Sequence, residues 1–469
     1  MGFSEDAAVV VAALARYLEE CRARRGPVLR QASMEDVIRE LDLVGPVREG
    51  GLTGPRLAEF VERYLAHTTR LQHPGYLAHQ VAVPPYTGAL AALIDALTNN
   101  PMAIYEMGPG AASIEHFVLG WLLDKVGWSG AGVPGMPRAG GVLTHGGSLA
   151  NLTALLAARN RVAPEAWEQG TPSDLVLLAP PQSHYSIARA AGILGIGQRA
   201  VRPLEVDGDG RVLPDRLPAT LAAVRASGKR VMALVANAGS TGAGLYDPLR
   251  EIGHFCQEEG IWFHADGAHG ASALLSERHR HLLDGVARAD SLVWDAHKLL
   301  RAPVLCAAVL VRDERTLDGA FREEASYLFH AKVQPGFDFI HRTVECTKAA
   351  LGLRLYAVVA DLGERGLAAY IDGRFALASQ AYEYVSDLGD FECAVRPQSN
   401  ILCFRLRGRS DEAQLAARDR LIAEGEFYVS SAVLKGARFL RIVFMHPETD
   451  LGDVRRLVEA VRSAAASRE

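Results

Sequence analysis

The chain has little lysine. Only six of its 50 basic residues are lysines, against 44 arginines. The arginines are dispersed, and a formal charge of -5 with a pI near 6.3 provides no basic field, so nucleic-acid binding has no support. No uncharged apolar run reaches the ~18 residues that a membrane span needs. The opening "MGFSEDAAVV" carries acids where a secretory leader would carry basic residues, and the chain therefore reads as cytosolic. The six cysteines (Cys21, Cys256, Cys306, Cys346, Cys393 and Cys403) show no C-x-x-C spacing, which speaks against a structural zinc or a disulfide framework. What is abundant is apolar: 469 residues at 49% hydrophobic can bury a large core and a smaller one, with a site fully enclosed.

From about residue 140 to 310, short apolar runs alternate with helical patterns. The runs "DLVLLAP", "VMALVANAG", "IWFHAD" and "SLVWDAH" are continuous, as expected of strands covered on both faces. Between two of them, "DPLREIGHFCQEEG" predicts a helix, with Asp247 as its cap, Pro248 in the first turn and Gly260 as its stop. This strand–helix repetition predicts a mostly parallel α/β sheet. Residues 1–85 read as a helical segment, 86–366 as the large α/β domain and 367–469 as a smaller α+β domain. Residues 343–366 predict one long helix closing on glycine.

In such sheets ligands sit beyond the carboxyl ends of the strands. There "THGGSLANL" leads through Gly147 and Ser148 into a helix whose free N–H groups suit a phosphate. His184 follows one run, Ser240 and Thr241 another, and Asp266 closes a third. A buried acid requires a cationic or hydrogen-bonding partner, and Lys298, in "WDAHKLL", could be that partner in a plain ion pair. All the loops are satisfied together by a planar ligand with a phosphate, a protonatable ring nitrogen and an aldehyde. Pyridoxal 5'-phosphate is such a ligand, since its enzymes use a lysine Schiff base and an acid at the ring nitrogen.

The segments "HPGYLAHQ", "IYEMGPGAASIE", "THGGSLANL", "SHYSIARAAGILG", "WFHADGAHGASALL", "RADSLVWDAHKLL" and "SYLF" occur in that order. Together they resemble the group II pyridoxal-phosphate-dependent amino acid decarboxylases, from about residue 60 onward. The resemblance implies an aspartate-aminotransferase-like fold of type I and a homodimer, with residues 1–85 interlocking the subunits and the site at their interface. It makes Lys298 the Schiff-base lysine and Asp266 the partner of the ring nitrogen. Ala268 would lie under the ring, His184 over it and Thr241 near its substituents, while Gly147, Ser148 and His297 hold the phosphate. Tyr327 matches a mobile-loop tyrosine that protonates the product carbon, and Arg441 the arginine that receives the substrate carboxylate. Tyr76 and His79 fall where the family lines its substrate pocket; packing at the dimer interface is an equal reading for both.

Asp295 stands where the family commonly has Asn. A further negative charge near a phosphate is unfavourable unless it is protonated or turned toward His297. Likeness around "RADSLVWDAHKLL" and "ASYLF" favours a small acidic amino acid as substrate, with an aromatic, unusual aliphatic or carrier-linked one as the alternative. Two other classes compete. An aminotransferase would share Lys298 and Asp266, and a metal hydrolase would use His264, Asp266 and His269.

Overall fold

The computed structural model describes residues 2–128, 138–321 and 336–466. Contacts group the chain into two units, residues 80–376 with 397–400, and residues 1–79 with 377–396 and 401–469. The sequence places its divisions near residues 85 and 366. In the structure the N-terminal segment belongs to the same unit as the C-terminal part, because strand-like pairing joins them: Leu77 N–H donates to the Tyr428 carbonyl at 2.9 Å and Val443 N–H to the Leu77 carbonyl at 2.8 Å.

The large unit is built on seven strands: β1 (Gly140–Thr144), β2 (Leu175–Ala179), β3 (Val201–Pro203), β4 (Arg230–Asn237), β5 (Trp262–Asp266), β6 (Ser291–Trp294) and β7 (Ala307–Val311). Their order is β1-β7-β6-β5-β4-β2-β3. Neighbours from β3 to β6 pair in parallel, and β7 runs antiparallel to both β6 and β1. Every residue of β1, β2, β5, β6 and β7 is buried, which is the physical origin of the uninterrupted apolar runs. A strand buried on both faces reads the same in either direction, so the sequence could not show that β7 is reversed.

The outer edge of β1 is closed by an ion pair. Glu115 accepts from Leu143 N–H at 3.0 Å and from Lys348, whose ammonium also donates to the Leu143 carbonyl at 2.7 Å. The strand's otherwise unpaired groups are thereby satisfied just ahead of the loop His145–Gly146.

Local expectations fail in two places. The helix Leu249–Glu259 starts after Pro248 without a side-chain cap, while Asp247 turns inward and accepts from Val212 N–H and Asn237 N–H. Burial pushes that carboxyl up to about 6. The expected helix of residues 343–366 begins at Leu351 and runs to Ser386, with non-helical backbone only at Gly363 (φ 67°), so glycine breaks it without ending it.

The second unit carries an antiparallel sheet of β8 (Phe391–Cys393), β9 (Ile401–Leu406), β10 (Ser430–Leu434) and β11 (Ala437–Val443), ordered β10-β11-β9-β8. Leu402, Phe404, Leu440 and Ile442 pack there with Leu421 and Leu457 from the helices Asp411–Glu424 and Leu451–Ala466. Gly75 permits the N-terminal segment to approach: a Cβ there would lie 2.2 Å from the Glu426 carbonyl oxygen.

Candidate active site

The carboxyl ends of β1, β4, β5 and β6 and the turns beyond them enclose a cavity of about 300 Å³. Gly147, Ser148, Asn151, His184, Thr241, Asp266, Ala268, Asp295, His297 and Lys298 all line it. Such a volume is at the lower end of the ~300–1,000 Å³ usual for small-molecule sites. Gly146, with φ at 103°, makes the turn from β1 into the helix Gly147–Val162, which no side chain caps. The first N–H groups of a helix have no intrahelical acceptor, and the helix dipole adds positive potential, so this end suits a phosphate.

The floor is a network in which nearly every donor and acceptor can be assigned. Asn151, one turn after Gly147, donates through Nδ2 to Asp266 Oδ2 at 3.1 Å and to Ser186 Oγ at 2.9 Å. Its Oδ1 must then accept from His264 Nε2, at 2.9 Å. His264 Nδ1 lies 2.8 Å from Ser291 Oγ, which also receives the Trp262 indole N–H. Burial holds the His264 pKa down at about 4, so its ring is neutral, with the proton on Nε2 and Nδ1 accepting from the Ser291 hydroxyl. Asp266 completes its bonding with Ala268 N–H, 3.2 Å from Oδ1.

His184 precedes the helix Tyr185–Ile193 and accepts from Ser186 N–H at 3.3 Å through Nδ1, which also lies 2.8 Å from Ser186 Oγ. The capping and ligand readings of this histidine are thus compatible, because one ring nitrogen caps while the ring borders the cavity. Burial lowers its pKa, against the opposing pull of Asp266.

Lys298 does not pair with Asp266, so the plain ion pair between these two residues is not formed. β6 ends at Trp294, and the turn after it sets Lys298 Nζ 3.0 Å from Asp295 Oδ2. Asp266 needs no cation because neutral donors already satisfy it. His297 Nδ1 donates to the Cys306 carbonyl at 2.8 Å, and its Nε2 is 3.8 Å from Asp295 Oδ2. Asp295 Oδ1 is buried without a hydrogen-bond partner among the described residues.

In the other unit, Arg441 on β11 donates through Nη1 to the Ala78 carbonyl at 3.1 Å and to Ser430 Oγ at 3.3 Å. Tyr76 and His79 both make edge contacts with Tyr428, at centroid distances of 5.8 and 5.7 Å. Tyr76 and His79, expected at the substrate end, thus lie with Arg441, more than 350 residues later in the chain, in one cluster. Burial and the Arg441 charge keep His79 below its ordinary pKa. Tyr327 lies outside the described residues. Among the described residues no cluster of His, Cys, Asp or Glu is arranged to hold a metal ion, and His269 Nε2 is instead bonded to Asn400 Oδ1 at 2.6 Å.

Sequence reasoning missed His145, whose Nδ1 is 2.5 Å from Glu345 Oε1, and it missed Asn151 and Asn237. For Asn151 a signal was present: position i+4 from Gly147 on a helix lies on the same face as the phosphate seat.

The residues fit pyridoxal phosphate at three points: the uncapped helix start, the Asp266 carboxylate held only by neutral donors, and the amine of Lys298. Set at the carboxyl ends of a mostly parallel sheet, they define a pyridoxal-phosphate-dependent enzyme of the aspartate-aminotransferase-like fold. The family model described as the pyridoxal-dependent decarboxylase conserved domain matches residues 55–407, and the chain belongs to this family. It is similar to the cysteine sulfinic acid decarboxylase of Mus musculus, 30% identical over 441 residues that cover 90% of this chain and 87% of the relative. It is also similar to the acidic amino acid decarboxylase GADL1 of Mus musculus, 27% identical over 449 residues covering 92% and 80%. Mouse CSAD in apo form superposes with a TM-score of 0.88 at 27% identity, covering 98% of each chain. Oryza sativa TDC with PLP and tryptamine gives 0.89 at 23%, covering 100% and 99%, a likeness of fold alone.

Proposed function

We propose that this pyridoxal-phosphate-dependent decarboxylase removes the α-carboxylate of a small acidic amino acid, releasing the amine and carbon dioxide. The carrying observation is that Lys298, Asp266 and the start of the helix Gly147–Val162 line one cavity. The substrate class rests on the relatives named as acidic amino acid and cysteine sulfinic acid decarboxylases.

When bound, the cofactor supplies an electron sink for the pair left as the Cα–carboxylate bond breaks. Lys298 would hold the cofactor's aldehyde. Asp266 would keep the ring nitrogen protonated, and Asn151 and Ala268 N–H hold that carboxylate in place. His184, Ala268 and Thr241 would hold the ring. Gly147, Ser148 and His297 would hold the phosphate. Tyr327 returns the proton to the product carbon. Arg441 receives the substrate carboxylate, with Tyr76 and His79 shaping its surroundings; the cluster around Tyr428 supports assigning the three together.

The working form is a cytosolic homodimer with its active site at the subunit interface, residues 1–85 interlocking the subunits. The cytosolic part of this reading is supported by the cysteines, all six of which are free thiols. For the dimer, the supporting observation is that the helix Tyr86–Thr98 exposes Leu90, Leu93, Ile94 and Leu97, apolar side chains that a partner subunit could cover.

A screen of amino acids with cofactor-loaded protein tests the reading. Carbon dioxide and amine are expected from aspartate, glutamate or cysteine sulfinate. Turnover of aromatic amino acids alone would overturn the substrate class, and keto acid without carbon dioxide would replace decarboxylation by transamination. Hydride reduction of the yellow holoprotein should label Lys298, and sedimentation should give twice the chain mass.

A further inference from the structure

Asp295 is the group at this site that does not fit the cofactor. Its side chain is 2% exposed, its Oδ2 is ion-paired with Lys298, and its Oδ1 has no hydrogen-bond partner among the described residues. A Cβ on Gly147 would lie 2.7 Å from both carboxylate oxygens, so Asp295 rests against the first residue of the helix that forms the phosphate seat. The backbone gives it no retreat: Asp295 N–H donates to the Ala268 carbonyl at 3.1 Å, and Lys298 N–H to the Asp295 carbonyl at 3.2 Å.

We propose that Asp295 is a resident anion of the phosphate seat, one that opposes the cofactor's phosphate and limits how tightly the enzyme retains it. A helix N-terminus attracts any anion, and in the cofactor-free chain the carboxylate is the one beside it. Lys298, its counter-ion, is also the amine that the aldehyde takes. The cofactor therefore competes with Asp295 at both ends, for the helix N–H groups and for the ammonium. The remaining nearby cation is His297 when protonated, 3.8 Å away, and Asp266 and His184 lie on the ring side. The inference rests on the reading of Gly147 and Ser148 as the phosphate seat.

The test is a binding cycle that needs no turnover. Cofactor-free wild type and Asp295→Asn are each titrated with pyridoxal 5'-phosphate and with pyridoxal, following the visible absorbance of the bound aldehyde. The amine–aldehyde bond is common to both ligands, and the cost of opening pyridoxal's internal hemiacetal is the same for every variant, so a change between variants in the ratio of the pyridoxal to the pyridoxal 5'-phosphate dissociation constant isolates the phosphate's contribution. That ratio is expected to rise at least tenfold in Asp295→Asn, equivalent to about 1.4 kcal/mol. Asp295→Ser, which removes the charge with a different shape, should move it in the same direction and decides the matter should the asparagine variant fold poorly. A phosphate advantage present in wild type but unchanged or smaller in both variants would overturn the proposal alone. Equal binding of the two aldehydes by wild type would overturn the phosphate seat, and the proposal with it.

Discussion

Asp266 and Asp295 stand at the ends of neighbouring strands, both buried and both facing one cavity, yet they are held in opposite ways. Asp266 is bound by neutral donors, the Asn151 amide and Ala268 N–H, behind which His264, Ser291 and Trp262 form a hydrogen-bonded column. Asp295 is bound by a cation on one oxygen and by no hydrogen-bond donor among the described residues on the other. A buried carboxylate is costly unless its oxygens are satisfied, and satisfying them with neutral groups leaves the charge available to a ligand. At position 266 the charge is left available to a ligand; at 295 much of it is spent on Lys298.

The comparison can be broken by substitution. Asp266→Asn should keep the cofactor bound while kcat falls by about 10²–10³-fold, the scale of removing one preorganised electrostatic partner. A near-normal kcat would end the assignment of Asp266. Removing the support instead of the charge is the next largest effect. Asn151→Ala leaves His264 Nε2, Ser186 Oγ and Asp266 Oδ2 each short of a bond, so thermal or denaturant unfolding should show a loss of about 1–3 kcal/mol along with reduced kcat. Unchanged stability would mean that water replaces the amide.

Gly147→Ala sharpens the other half. The added methyl would meet Asp295, so cofactor affinity should drop, and pairing it with Asp295→Ala should restore part of the loss. Coupling in that double-mutant cycle of at least ~0.5 kcal/mol is the expected result, and simple additivity would separate the two residues.

The smallest effect is on acid stability. Burial holds His264 near a pKa of about 4, below its ordinary 6.5. The unfolded chain therefore binds a proton between those values that the folded chain refuses. Stability from this histidine is complete above pH 6.5 and is lost as the pH falls toward 4, by up to about 1.4 kcal/mol per pH unit. His73, similarly lowered to about 4 mainly by burial, adds a parallel slope in the other unit. Denaturation midpoints of His73→Gln against pH should be flatter than those of wild type over this window.

Much of the cavity lining was legible because strands buried on both faces leave continuous apolar runs, and the polar residues that interrupt them fall at strand ends. Asp266, His184, Lys298 and the Gly147–Ser148 helix start were all found in this way. Asn151 and His145 escaped because a polar residue inside or beside a helix looks like ordinary surface until its neighbours are known. The inward turn of Asp247 escaped for a related reason: an Asp-Pro pair before a helix reads as a cap, and only the arrival of the Val212 and Asn237 N–H groups makes burial the better use of that carboxylate.

Order along the chain thus determined which chemical groups this protein owns and the sheet that carries them, since local periodicity and strand-end polarity depend on neighbours a few residues apart. The pairing of those groups was decided by tertiary structure alone. Whether Lys298 meets Asp266 or Asp295 depends on where the turn after β6 ends and on whether Asn151, 115 residues before Asp266, has already satisfied that acid. Such choices are made by three-dimensional proximity between groups that no sequence spacing connects.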